Sequence, residues 1–309
     1  MSAAKGISPY FHEYFAEWIG VYKQGAVRPI TYQKYLMTLQ RLCELAPSLR
    51  ICEIEKRSYQ ILLNNYAETH EKQTTMDFHH HLKSAILDAI DEGLLKSDPT
   101  RKVIIKGKTP TVKKPKYLSQ HELQSLLKNL NLSNDPSWDW FILLLSKTGL
   151  RFSEALAVTP NDLDFSNQKI SITKTWNYKS ADGGFGDTKN LSSKRSITID
   201  PQLNTQLLRL TSGLMYDAPI FVKGRVYNST VNNRLKALCN KSGIPVISLH
   251  SLRHTHASLL IFAGVSIASI AKRLGHSSVT TTQETYLHII QELENQDNDK
   301  IVQHLSTLI

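Results

Sequence analysis

The chain is 309 residues long, carries 37 Lys and Arg against 27 Asp and Glu, and has a formal net charge of +10; 41% of its residues are hydrophobic, enough to bury a core and to exclude a disordered basic tail. A folded, basic chain of this length suits about two domains and a polyanionic partner, with nucleic acid first among the candidates. Apolar runs such as Phe141–Leu145 and Ser258–Val265 fall far short of the ~20 residues of a membrane span, Met1–Gly6 has no signal-peptide apolar region, and the three cysteines, Cys43, Cys52 and Cys239, form no CxxC pair, which argues against a disulfide framework or a zinc site.

From Pro9 to about Asp98 the pattern is helical. Tyr10, Tyr14, Trp18 and Tyr22 recur every four residues, which predicts one face of a helix and a core stripe. Pro29, followed by Thr31–Tyr35, opens a second helix with Leu36, Leu39, Leu42 and Leu45 as its apolar positions. Ile54–Tyr66 and Thr74–Ile90 supply two more, and Gly93 ends the last. The spacing predicts a four-helix module within residues 1–105. The run His79-His80-His81 falls mid-helix, where adjacent side chains point in different directions, so it reads as surface rather than metal site.

Residues 106–117 then break the pattern. Lys106, Lys108, Lys113, Lys114 and Lys116, with Pro110 and Pro115, form an extended basic linker, here read as a strap along phosphates. The second domain is expected over 118–309. Ser119 and Glu122 make a capping box. An apolar helix at Trp138–Leu145 leads to Thr148-Gly149-Leu150-Arg151, and Phe152–Val158 forms a short helix. Short strands follow near Ile170–Ile172 and Arg195–Ile199, with Asp182-Gly183-Gly184 as a turn signal between them. The remaining helices are predicted at Asn204–Leu210, Val231–Cys239, Ser251–Phe262, Ile267–Leu274, Thr280–Tyr286 and Ile289–Leu305. The fold class is therefore mainly α with a small antiparallel β-sheet.

Single residues say little by themselves. Arg151 could cap a loop or pair with Glu154. His250 and Arg253 are three apart and share a helix face; a guanidinium presents paired donors to phosphate oxygens, and an imidazole exchanges a proton near neutral pH. No Asp or Glu joins His250, His254 and His256, and Arg253 among them opposes a cation. His276 follows Gly275 at a helix end, and Tyr286 alone would be packing.

Together, in one order, these motifs resemble the tyrosine recombinases of the phage-integrase type. The resemblance is densest in Thr148–Glu154, in His250–Ser258, and in Leu274–Thr282 through Tyr286. It is nearest to integrases of phages and conjugative transposons of Gram-positive bacteria. It implies a helical core-binding (SAM-like) domain and an α+β catalytic domain that clamp double-stranded DNA. It implies Tyr286 as nucleophile, forming a 3′-phosphotyrosyl link and freeing a 5′-hydroxyl. Arg151 and Arg253 would hold the non-bridging oxygens, His250 would bond the phosphate and help deprotonate Tyr286, and His276 would donate to a phosphate oxygen. Lys189 would protonate the departing 5′-oxygen, with Lys174 as competitor, and Glu154 would orient the basic groups. His254 and His256 match the motif and are expected to serve local packing and hydrogen bonding. The reaction would need no metal, nucleotide or other cofactor.

The resemblance also implies a homo-tetramer on DNA, linked by exchange of the amphipathic tail 289–309, an accessory excision protein, and a bacterial cytoplasmic setting on DNA. Integrases of this type commonly carry a further N-terminal domain for arm sites; the helical module here begins almost at once, so the chain is expected to be a simpler or trimmed form. A type IB topoisomerase and a helix-turn-helix regulator built on Ile267–Gln283 are the alternatives.

Overall fold

The computed structural model describes residues 9–109, 115–180, 182–188, 190–287 and 306. The chain divides into two compact units, Met1–Lys113 and Lys114–Ile309.

The first unit is built on α1 (Phe11–Tyr22), α2 (Pro29–Leu45), α3 (Lys56–Ala67) and α4 (Lys72–Asp91). Phe11, Phe15, Tyr59, Leu63, Leu82 and Ile86 lie at its centre. The buried face of α1 is Phe11, Tyr14, Phe15, Trp18 and Ile19. The four-residue spacing of the aromatic residues therefore misleads at both ends. Tyr10 precedes the helix and Tyr22 is exposed. A step of four turns the helix about 40° past a full circle, so Tyr10 and Tyr22 would lie about 120° apart. Trp18 Nε1 donates to Asp88 (2.5 Å) and Tyr14 to Glu92 (3.1 Å), tying α1 to α4.

The histidine run also differs from the sequence reading. His80 is exposed, but His79 is buried with Nδ1 3.0 Å from the Tyr59 hydroxyl. His81 is half-buried, with Nδ1 2.8 Å from Thr38 Oγ1. Three consecutive residues span about 200° of a helix, so an inward-facing member is hard to avoid. The start of the basic segment packs back on this unit. Val103 and Ile105 rest on its core, Gln60 pairs with both backbone groups of Ile104, and the Lys108 N–H donates to the His70 carbonyl (2.8 Å).

The second unit opens with α5 (Gln120–Lys128), capped reciprocally by Ser119 and Glu122. In α6 (Trp138–Thr148) every residue from Trp140 to Ser146 is buried, as its unbroken apolar run requires. The short α7 (Phe152–Leu156) follows. Strands β1 (Leu163–Asp164), β2 (Lys169–Ile172) and β5 (Arg195–Thr198) form an antiparallel sheet in the order β1-β2-β5, with Ile170 opposite Ile197 and Ile172 opposite Arg195. Between them, β3 (Lys174–Trp176) and β4 (Phe185–Asp187) make a hairpin. Then come α8 (Pro201–Thr211), α9 (Asn228–Lys241), α10 (Leu249–Phe262), α11 (Ile267–Leu274) and α12, residues 279–287.

Asp139 at the start of α6 takes two bonds from Arg234 of α9 (2.6 and 2.7 Å) and one from the Asn131 N–H (2.7 Å). The expected tail helix, Ile289–Leu305, and Met1–Gly6 lie outside the described residues. Among the described residues, no helix is long and apolar enough to cross a membrane.

Gly149 closes α6 in the left-handed region (φ 68°), and a Cβ there would sit 2.7 Å from the His256 ring. Gly149→Ala is therefore expected to lower stability by ~1–3 kcal/mol, read as an earlier midpoint in urea denaturation.

Candidate active site

The site grows from the ends of two helices. After Gly149, the buried Leu150 anchors the chain and leaves Arg151 at the N-cap of α7. Glu154, three residues on, accepts both the Arg151 backbone N–H (3.0 Å) and its guanidinium (2.7 Å). The other end of that guanidinium donates to the Gly275 carbonyl (2.9 Å), where α11 stops. Arg253, on α10 and 4% exposed, donates to the Gly149 carbonyl and to the Leu274 carbonyl, each at 2.7 Å. Both arginines thus sit on C-terminal carbonyls of α6 and α11, where unsatisfied acceptors and the helix dipole favour a cation. A guanidinium has five N–H donors. Among the described residues Arg253 commits two of them, leaving donors for a bound anion.

Arg195 of β5 completes the lattice. It gives two bonds to the Glu154 carboxylate (3.0 and 3.3 Å), one to the Arg273 carbonyl (2.6 Å) and one to the Ser193 carbonyl (2.9 Å). Burial alone would push the Glu154 carboxyl up, but the hydrogen bonds and charge of Arg195, followed by Arg151, outweigh it and hold the group below its ordinary range. Burial and the Arg151 charge depress Arg253, whose guanidinium nonetheless stays protonated at neutral pH. Gly275 (φ 68°) is needed at the crossing, because a Cβ would come within 2.8 Å of Arg195.

Around these cations the imidazoles are held neutral. His276 lies just past Gly275 with Nδ1 2.7 Å from Thr282 Oγ1. Burial, then Arg253, Arg151 and Arg195, bring its pKa down to about 4. His256 faces the Ser146 carbonyl through Nδ1 (3.1 Å) and accepts from Arg273 at Nε2 (2.9 Å), which assigns the proton to Nδ1. Burial and Arg273 take it to about 3. His250 stands at the surface of the first turn of α10; loss of solvent around its ring, then Arg253 and Arg151, lower its pKa. One turn on, His254 meets it edge-to-face at 4.8 Å.

Tyr286 of α12 is 2% exposed and packs with Ala257, Ile261, Ile270 and Leu274. Its hydroxyl lies 3.0 Å from Nδ1 of His254. Burial pushes its pKa up to about 12, with the charge of Arg253 pulling the other way. A pocket of about 470 Å³ opens here, lined by Lys116, Tyr117, His250, His254, Glu284 and Tyr286. A second, of about 430 Å³, brings Lys194, Arg195, Lys272 and His276 together. Among the described residues no group of His, Cys, Asp and Glu could hold a metal ion. The array can bind a tetrahedral anion and present a phenol to it beside neutral imidazoles.

Residues 116–292, more than half of the chain, match the family described as the phage integrase family. The chain belongs to the phage integrase family. It is 30% identical to the integrase of Staphylococcus phage L54a over 171 residues, covering 50% of this chain and 48% of that one. It is 29% identical to the ICEBs1 integrase of Bacillus subtilis, covering 71% and 62%. The chain thus spans about half the length of the phage L54a integrase. Among solved structures, the Tn1549 transposon integrase in complex with a circular intermediate DNA superimposes with a TM-score of 0.76 at 20% identity, over 90% of this chain and 94% of that one. The lambda integrase dimer bound to a COC′ core site gives 0.66 at 16%, over 90% and 77%. At these identities the likeness is one of fold: mainly helical, with small antiparallel sheets.

The structure of this integrase-family chain brings Arg151, Glu154 and Arg253 together at the ends of α6 and α11, with His276 the residue after Gly275 and with Tyr286 and His250 joined to them through α10. Lys174, the alternative to Lys189, has its ammonium on Asp162 (2.7 Å) and Thr159 (3.3 Å). Lys189, Lys113 and Lys114 lie outside the described residues. Lys106 and Lys108 are exposed on the first unit, and Lys116 lines the Tyr286 pocket.

Two contacts differ from the sequence reading. His254, rather than His250, meets the Tyr286 hydroxyl, because the helix turns Nδ1 of His254 toward α12. Arg195, given no task in sequence, shares Glu154 with Arg151. Its inward direction was readable from the two-residue step to the buried Ile197.

Glu154→Gln leaves one buried guanidinium, Arg195, and one half-buried, Arg151, without their counter-charge. It is expected to cost about 3–5 kcal/mol. Because the folded pKa of Glu154 is depressed, its stabilisation is complete above the ordinary glutamate range and is lost as pH falls toward the folded value. Urea midpoints of the variant should accordingly fall less steeply with acid than those of the native chain.

Proposed function

We propose that this chain is a site-specific DNA recombinase that cuts and rejoins duplex strands through a 3′-phosphotyrosyl intermediate, to integrate or excise a mobile element. The observation that carries the reading is the convergence of Arg151, Arg253 and His276 around two helix ends, with the buried phenol of Tyr286 3.0 Å from His254 on the same helix as Arg253. Membership of the phage integrase family, and the DNA present in the complexes of its structural neighbours, support it.

In this mechanism Arg151 and Arg253 take the non-bridging oxygens of the scissile phosphate and stabilise the charge that builds in the transition state. Thr282 Oγ1 beside His276 Nδ1 suits the tautomer that carries its proton on Nε2, able to donate to a phosphate oxygen. His250, at the surface, donates to the same phosphate. Tyr286 attacks phosphorus, and Lys189 protonates the leaving 5′-oxygen; the tie of Lys174 to Asp162 favours Lys189 for that task. Glu154 orients Arg151. No metal or nucleotide takes part. The exposed Lys106 and Lys108, with Lys113, Lys114 and Lys116, track phosphates along the duplex. Four copies assemble on paired sites through exchange of the tail, whose sequence carries the apolar residues Ile290, Leu293, Ile301, Val302, Leu305 and Leu308. An accessory protein directs excision, and the setting is the bacterial cytoplasm.

Incubation with nicked suicide duplexes in EDTA, including the ends of the element, tests the reading. The native chain should form a covalent 3′-linked adduct and Tyr286→Phe none; absence of an adduct on every duplex would overturn it. A topoisomerase would form the adduct without depending on paired sites, and a regulator would form none. Arg151→Lys and Arg253→Lys should cleave at least ~100-fold more slowly while retaining most DNA binding in gel shifts.

Lys106→Ala and Lys108→Ala should instead weaken binding to all duplexes alike. Each should reduce the slope of log affinity against log salt by about 0.9, the release expected per phosphate contact.

A further inference from the structure

We infer that His254 is a catalytic residue, the group that accepts the proton of the Tyr286 hydroxyl as that oxygen attacks phosphorus. The inference rests on the recombinase reading above and adds a residue to it.

Geometry selects His254. The phenol is 2% exposed, so bulk water has little access to its proton and an acceptor from the protein is required. Nδ1 of His254 lies 3.0 Å from the hydroxyl, within the reach expected of a general base. The ring is steadied by His250, which meets it edge-to-face at 4.8 Å and 88°. His250 lies one helical turn away at the surface, where it can reach a phosphate. The two histidines of α10 thus divide two tasks that a single motif position would otherwise combine.

The protonation state agrees. Burial, then the charges of His250, Arg253 and Lys116, bring the His254 pKa down to about 4. The imidazole is therefore neutral at pH 7 and can accept at Nδ1, with its proton on Nε2. A DNA phosphate entering beside Arg253 offsets those positive charges and raises the basicity of His254 at the moment it is needed.

The step balances. The Tyr286 O–H bond breaks and its proton moves to His254 Nδ1; the Oη–P bond forms; the P–O5′ bond breaks and the 5′-oxygen takes its proton from the general acid, Lys189 in the scheme above. His254 is left as an imidazolium next to the anionic phosphodiester. In rejoining, a 5′-hydroxyl attacks phosphorus and gives its proton to the now neutral Lys189, the P–Oη bond breaks, and Tyr286 leaves with the proton returned by His254.

Single-turnover cleavage of a suicide duplex tests this, with His254→Ala and His254→Gln compared by gel shift and thermal melting as controls for binding and folding. Both variants should cleave ~100-fold or more slowly. Added imidazole should raise the His254→Ala rate with concentration while leaving the native rate unchanged. A duplex with a 5′-bridging phosphorothiolate, whose sulfur leaves without protonation, should restore Lys189→Ala but neither His254 variant.

Cleavage by folded His254→Gln or His254→Ala within a few-fold of the native rate would overturn the inference. So would restoration of His254→Ala by the phosphorothiolate with no response to imidazole. If the native chain itself formed no adduct, the recombinase reading would fail instead.

Discussion

Three guanidinium groups lie close together in the second unit, and one carboxylate, Glu154, holds two of them. Burying cations beside one another is costly unless each finds a fixed acceptor. Glu154 takes Arg151 and Arg195 on its two oxygens. The carbonyls at the ends of α6 and α11 take what remains: Gly149 receives Arg253, Leu274 receives Arg253, and Gly275 receives Arg151. The two glycines allow these helix ends to turn away in the left-handed region and expose their carbonyls. The electrostatics of the site are thus inseparable from the way two helices stop.

That concentration of positive charge governs the titratable groups around it. His254, His256 and His276 are all pushed far below the ordinary imidazole range, first by burial and then by arginines or neighbouring histidines. Neutral imidazoles can each donate at one nitrogen and accept at the other, and the surroundings choose which. The Ser146 carbonyl and Arg273 choose for His256, which serves structure. The Tyr286 hydroxyl stands against Nδ1 of His254 in the same way.

Much of the fold was legible because it depends on local periodicity. Ile267–Leu274 agrees with its apolar spacing, and Ser119 with Glu122 announced α5 by their capping chemistry. The spacing of Tyr10 and Tyr22 failed because a four-residue repeat drifts around a helix. The surface reading of His79 failed because its buried partner, Tyr59, belongs to another helix. No pattern within one helix can report a hydrogen bond from the next.

The sequence by itself determined the family, through a tyrosine, arginines and histidines in the order of its motifs. It also determined most of the helices, since those follow from composition and short-range pattern. Only the tertiary structure decided how the groups pair. Glu154 and Arg195 are 41 residues apart, and His254 and Tyr286 are 32 apart. Such contacts are made when separate elements pack into one core, and their geometry depends on the directions of helix ends and strand faces. A linear order can name the members of a site, but the partner of each proton and each charge is chosen by distance in space.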